Sequence, residues 1–473
     1  MFAAQYVMLL GNIAPTFILA AYYTSWSIYQ KGFEVQQIPA TKLSHVNYAF
    51  AKLEADGRIV LGDRWADVER PQALSSELLD ALGYQGNLAG LNQLKREHRH
   101  LKVGLSVGGW LGSENFSAVS AGAETRQRFA QSAAQLILRY NFDYLDIDWE
   151  YPVAGGFGPH SVDDARNFVL LLQAVKMEFE RIGCSSEDGS DVEGGNEMAG
   201  EGATEGAAED ATEGAVRKRP ELTAALSCGW YEGRYSDIAL LGELLDWAGV
   251  MCYDFAGGWS AHADHHSALY TARPQQHSVD AGIQSLLALG FPASKIVLGV
   301  PIYGREYEGC AGLARPFARP DTYDKVVPYA AIVEEVLGAS DRRSAQLEAR
   351  SRASVWRPSA RLTVYDSVTV VREKAQYVQR HGLRGMMFWE LSGDCHKHER
   401  HSLIHQASAV LPVARGAENV VSWEIAPRPR AVCRALHNAV WNREAAPVDV
   451  VAASQAKPIG PQVPISSSKE PQQ

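Results

Sequence analysis

The sequence predicts an α/β fold, a (β/α)8 TIM barrel with a small α+β insertion between strands seven and eight. Eight apolar runs of strand length alternate with helix-like segments between residues 17 and 411 of the 473. Several of the runs are continuously apolar, as strands buried on both faces of a parallel sheet are. Polar, glycine and aromatic residues gather at the C-terminal end of each run, where a closed parallel barrel presents its site. An eightfold βα alternation favours that barrel over an open, doubly wound sheet.

Residues 17–26 (FILAAYYTSW) form the first strand expected and 43–51 (LSHVNYAFA) the second. A helical pattern over 87–98 precedes the third, 101–107 (LKVGLSV), which runs into Gly108-Gly109. Residues 125–140 read as a long amphipathic helix and 143–150 (DYLDIDWE) as the fourth strand. The helix expected over 163–181 has one apolar side, made by Leu170, Leu171, Leu172, Val175 and Phe179. Strands five to eight fall at 222–228, 247–255, 296–303 and 385–391, with helical patterns at 279–289 and 367–381 between them. These elements make up one barrel domain over 17–411.

Two segments break this rhythm. Residues 185–216 are mostly Gly, Ala, Glu and Asp, too poor in large apolar side chains to build a core, and are expected as an acidic disordered insert. Residues 306–365 are too long for a βα loop and are expected to form the α+β insertion. Beyond the barrel, 412–445 are expected as a C-terminal extension and 446–473 as a disordered tail.

Composition sets further bounds. With 46% apolar and 21% charged residues the chain is of the soluble globular class. Its net charge of −10 is matched by ten acidic residues within 187–213, where no basic residue stands. The remainder is near neutral, which leaves no basic field for nucleic acid. Six cysteines at 184, 228, 252, 310, 395 and 433 contain no CxxC pair. Cys228 and Cys252 lie in apolar runs and read as buried thiols. The apolar residues 1–21 are interrupted by Gly11, Asn12 and Pro15, and the first basic residue is Lys31, so no membrane span is expected. A monomer with no membrane partner is expected.

The stretch 143–150 is the chemical centre. Strand alternation points Asp146, Asp148 and Glu150 to one side, opposite Ile147 and Trp149. Three carboxyl groups on one face cost too much in an ordinary core strand, so they should line a polar cavity and share protons. A solvated edge strand is the plainer reading, but the flanks are apolar and no Lys or Arg interleaves. Asp143 has the opposite parity, sits at the strand start, and by spacing is expected to be structural or to support the site from behind, although it belongs to the same stretch.

This DxxDxDxE stretch, together with Ser106-Val107-Gly108-Gly109-Trp110, Met251-Cys252-Tyr253-Asp254, Pro301-Ile302-Tyr303-Gly304-Arg305 and Trp389-Glu390, resembles glycoside hydrolase family 18, the chitinases. Order and spacing agree from about residue 19 to 411, and AYYTSWSIY is similar to the fungal or bacterial-type branch with an insertion before strand eight. The resemblance implies retaining hydrolysis of β-1,4 N-acetylglucosamine linkages in chitin or chitooligosaccharides, with the substrate's own N-acetyl carbonyl replacing a second carboxylate. It makes Glu150 the general acid and then the general base. Asp148 would orient the acetamido group, with Asp146 behind it sharing a proton. Tyr253 would hydrogen-bond the acetamido oxygen. Asp254 and Arg305 would bind sugar hydroxyls, the alternative being a purely structural ion pair. Trp389 would floor the reacting sugar, with further substrate contacts from Tyr22, Phe50, Gly109, Trp110, Tyr151 and Met251.

No cofactor is implied. His262, Asp264, His265 and His266 crowd one loop, and His396, His398 and His401 another, but neither spacing fits a zinc signature, so no metal is expected. Two sibling readings stay open: an endo-β-N-acetylglucosaminidase acting on N-glycans, and a chitinase-like lectin, against which the presence of Glu150 argues. A polymeric substrate implies an extracellular enzyme, with a cytoplasmic one as the alternative.

Overall fold

A computed structural model describes residues 17–183 and 219–413, apart from 230, 232, 319–324, 339–344, 358–360 and 397. The acidic insert, the tail and all but the first two residues of the C-terminal extension lie outside the described residues. The strands are β1 (Ile18–Thr24), β2 (His45–Leu53), β3 (Ile59–Val60), β4 (Lys102–Gly108), β5 (Tyr144–Asp148), β6 (Glu221–Ser227), β7 (Trp247–Met251), β8 (Ile296–Pro301), β9 (Tyr303–Glu308), β10 (Lys325–Pro328), β11 (Ala345–Glu348), β12 (Ala353–Trp356), β13 (Arg361–Tyr365) and β14 (Gly385–Trp389).

Eight of them, β1, β2, β4, β5, β6, β7, β8 and β14, pair in parallel in that order, and β14 closes back on β1. All eight strands expected from the sequence are barrel strands. Period-two alternation divides their side chains. Ala20, Tyr22, Tyr144, Ala225, Trp247, Met251, Val297 and Met387 pack together inside the barrel. The opposite parity, for example Leu19, Val46, Leu105, Ile147, Leu298 and Phe388, packs outward into the larger core beneath the helices.

Outer helices start and stop on local signals. The helix Ala123–Tyr140 ends at Asn141, which takes the left-handed conformation at φ 61°. Ser278 and Ser367 cap the helices Val279–Ala288 and Val368–Arg380 by accepting the N–H groups of Ala281 and Val370. On Asp164–Gly183, the apolar side expected from the sequence is buried at Leu171, Leu172, Val175 and Phe179, with Leu170 only half-buried. Each full burial of this kind contributes about 1.5–3 kcal/mol. Phe179→Ala would remove the largest of these side chains, at a cost of about 3–5 kcal/mol.

The insertion is a five-stranded antiparallel sheet in the order β10-β9-β13-β12-β11, with the helix Tyr329–Gly338. Strand β9 starts two residues after β8 ends. The same run of chain therefore leaves the barrel and founds the second sheet, and Arg305 lies on it.

Candidate active site

At the C-terminal end of β5 the register places hydroxyl groups on both sides of Asp146. Ser106 on β4 and Thr223 on β6 are its direct ladder neighbours. Ser106 Oγ and Tyr22 Oη donate to Asp146 Oδ2, each at 2.7 Å, and Thr223 Oγ1 donates to Oδ1 at 2.8 Å. Burial pushes this carboxyl up, and the three neutral donors recover part of that shift. Asp148, one rung on, has no such help. Its Oδ1 is buried and accepts no hydrogen bond from the described residues. Burial first, then the charges of Glu150 and Asp146, push its carboxyl well above the ordinary range.

Glu150 stands just past the strand, its N–H held by Ser113 Oγ at 2.9 Å. Desolvation raises its carboxyl to about 7. The Tyr151 hydroxyl and Arg234 pull it down, and the Asp254 charge pushes it up. All three carboxyls, two on β5 and Glu150 just past it, are thus raised by burial and favour holding protons. Glycine makes the approach close enough: a Cβ on Gly108 (φ 112°) would lie 2.2 Å from the Asp148 carbonyl oxygen, and the Gly109 N–H donates to that same oxygen at 2.8 Å.

Aromatic rings form the floor. Trp389 meets Tyr22 edge-on at 5.2 Å and stacks on Phe50 at 5.7 Å, and Phe50 in turn meets Trp26 at 6.1 Å. Tyr22 is itself buried, so it sits under the floor and spends its hydroxyl on Asp146. Met251 is likewise inside the barrel. Trp110 and Trp259 stand exposed at 46% and 51%. Burial, then Tyr303 and the nearby carboxylates, push the Tyr253 phenol well up, so it remains a hydroxyl donor. Tyr151 lies under the Arg234 guanidinium, 4.2 Å from ring centre to carbon.

The far wall is ionic. Asp254, at φ 60°, accepts on Oδ1 from Tyr303 Oη at 2.6 Å, Arg305 Nε at 2.8 Å and Arg305 Nη2 at 2.7 Å, with His266 Nδ1 at 3.5 Å. Desolvation pushes this carboxyl up, but His266, Arg305 and Tyr303 outweigh it and bring it to about 2. Arg305 is also seated over the Trp259 ring at 4.6 Å. Asp143, by contrast, sits at the other end of β5. It accepts the Val103 N–H and pairs with Lys95 Nζ, both at 2.7 Å.

Residues 18–394 match Glycosyl hydrolases family 18. The chain belongs to this family. The family-18 chain is 31% identical over 433 residues to endochitinase 1 of Metarhizium robertsii, covering 87% of itself and 89% of that relative. It is 32% identical over 385 residues to chitinase 1 of Aphanocladium album, covering 80% and 81%. The solved chitinase ChiA74 of Bacillus thuringiensis superposes with a TM-score of 0.67 at 27% identity, over 84% of this chain and 70% of that one. The protein is a glycoside hydrolase.

Several residues of this family-18 site escape sequence reasoning. His266 belongs to the histidine-rich loop whose spacing fits no zinc signature, and it lies behind Asp254. Its neighbour His265 is turned away to Glu348 at 2.9 Å, and His396 stacks on Phe33 at 4.5 Å. No His, Cys, Asp and Glu group among the described residues has the geometry to hold a metal ion. Thr223 carried a usable signal, as a hydroxyl inside the apolar run LTAALS. Ser113 and Arg234 carried none, because loop position alone brings them to Glu150 and Tyr151.

Proposed function

We propose that this family-18 hydrolase is a chitinase cleaving β-1,4 linkages between N-acetylglucosamine units with retention, assisted by the substrate's acetamido group. The observation that carries the reading is the β5 row: a carboxyl held at about 7 next to one whose buried Oδ1 lacks a donor. Glu150 gives its proton to the leaving glycosidic oxygen while the acetamido oxygen attacks the anomeric carbon, and the C–O bond breaks. The acetamido N–H supplies the donor that Asp148 lacks, and Asp148 in turn balances the positive oxazolinium ring. Tyr253 donates to the acetamido oxygen before attack. Glu150, now a carboxylate, takes a proton from the water that reopens the ring, which restores the starting state.

Asp146 stays behind, held by its three hydroxyls, and limits how far Asp148 ionises. Trp389 offers a flat apolar face to the sugar above it, and Asp254 and Arg305 offer charged partners to its hydroxyls. The names of the relatives support chitin as substrate. Solid chitin cannot enter a cell, which supports action outside it; no helix among the described residues is long and apolar enough to cross a membrane.

The test is product analysis on N-acetylglucosamine hexamer beside an N-glycosylated protein, with proton NMR reading the anomer first released. Shorter oligomers appearing as the β-anomer, with the glycoprotein untouched, are expected. Release of N-glycans alone would replace the reading with the N-glycan hydrolase, and binding without cleavage would replace it with a lectin.

A further inference from the structure

Two thiols lie outside everything this mechanism uses. The ladder between β6 and β7 ends at the pair Ser227↔Met251, so the next residues, Cys228 and Cys252, face each other across adjacent parallel strands. Met251 points into the barrel, and its neighbour Cys252 therefore points out, into the core shared with the helices, as Cys228 does. Both are buried, at 3% and 0% exposure. Their sulfurs stand 2.6 Å apart. Unbonded carbon atoms rest at about 3.5–4.0 Å, and sulfur is larger.

The surroundings are shaped for this contact. Helix Val279–Ala288 presents Gly282 to the pair, and a Cβ there would come within 2.4 Å of Cys228 Sγ. Strand neighbours about 4.8 Å apart also fall within the Cα separation of about 4.4–6.8 Å that a disulfide requires.

We propose that Cys228 and Cys252 are a covalent modification site, closing a disulfide that staples β6 to β7 directly behind Tyr253 and Asp254 when the chain folds in the presence of a disulfide-carrying oxidant such as oxidised glutathione. One thiolate attacks the oxidant's disulfide and expels one thiol. The second thiolate then attacks the mixed disulfide and expels the other. The two protons leave with the two released thiols, and the oxidant's bond is reduced as the protein's forms. In the folded chain, burial and the adjacent sulfur push the Cys228 thiol well above its ordinary range. Thiolate is then scarce, so the bond forms as the strands meet and exchanges slowly afterwards. It removes freedom from a loop spanning 24 positions of the unfolded chain.

The full chain, produced once through an oxidising secretory compartment and once in a reducing cytosol, provides the test. Each sample is denatured without reductant, alkylated and peptide-mapped by mass spectrometry. The secreted sample should yield the two cysteines as one cross-linked pair, lighter by two hydrogens, and the cytosolic sample should yield both alkylated. The melting midpoint of the secreted protein should fall by a few degrees on adding reductant. In Cys228→Ala or Cys252→Ala it should not move, whatever the variant's own stability, because each is compared only with itself. Quantitative alkylation of both cysteines in the secreted sample, or cross-links to other cysteines only, would overturn the proposal.

Discussion

At the end of β5, carboxyl groups meet hydroxyls and one another; just past β7, Asp254 meets a guanidinium and an imidazole. Desolvation raises both sets, and only the neighbours differ. Among the described residues no cation is hydrogen-bonded to the β5 row, and Glu150 there is raised to about 7, whereas Asp254 is brought to about 2 and stays an anion. One barrel mouth thus contains an acid that can give a proton and a carboxylate that cannot take one. The division of labour proposed above follows from that difference, because bond cleavage needs the first and fixed hydrogen bonding needs the second.

The largest break in the comparison comes from removing the acid. Glu150→Gln keeps the shape of the side chain and should lower kcat on chitooligosaccharides by about 10²–10⁴-fold. Calorimetric affinity for the same oligomers should stay within a few-fold. Turnover within tenfold of the parent would mean that the β5 row is not the catalytic one. Asp148→Asn comes next, at about 10²-fold in kcat, because an amide cannot balance the positive intermediate. An unchanged kcat would point to an enzymic nucleophile instead of the acetamido group.

The pH dependence separates the two sets further. Glu150 must carry its proton to act, so kcat should fall about tenfold per pH unit above 7 and level off below it. Stability follows the same sign. The folded value lies above the ordinary 4.5, so this group's contribution is full below 4.5 and is lost as pH rises through about 7. Asp254 runs the other way: its folded value lies below the ordinary 3.8, so its contribution is present above 3.8 and is lost as pH falls through about 2. Melting midpoints of Glu150→Gln should therefore be flatter than the parent's between pH 5 and 8. Those of Arg305→Met should be flatter below pH 4. On substrate, Arg305→Met should raise KM about tenfold while changing kcat less, since a charged hydrogen bond to a hydroxyl is lost but the proton donor is not.

The eight barrel strands were legible in the sequence because buried parallel strands are apolar runs of the right length, and each run is punctuated where the chain turns. The β5 row was legible because period two is a property of the strand itself. Tyr22 shows where that reading ends. The resemblance implies a substrate contact for it, whereas packing places it below Trp389 with its hydroxyl on Asp146. His266 shows a second boundary. It lies 12 residues from Asp254 in sequence, on an irregular loop, and no periodicity relates the two. Arg305 pairs with Asp254 from β9, the strand that founds the insertion sheet, and that pairing is compatible with the sugar contact proposed above.

The smallest expected effect on turnover belongs to Asp143, the first acidic residue of the same signature. It lies just before β5, at the end opposite Asp148, and its carboxylate is committed to the Val103 N–H and Lys95. Lys95 is nearly buried, at 7% side-chain exposure, and also donates to the Asn141 carbonyl at 2.8 Å, so Asp143 supplies its charge partner but not its only contact. Asp143→Asn keeps an oxygen that can accept the Val103 N–H but leaves the Lys95 charge poorly matched, which should cost about 1–2 kcal/mol of stability. Because the proposed proton transfers take place at the opposite end of β5, kcat at a temperature well below melting should change by less than about twofold. Urea denaturation and turnover measured on one preparation check both halves. A large loss of kcat with stability intact would show that the two ends of β5 are coupled, and would remove the division between structural and reactive carboxyls on this strand.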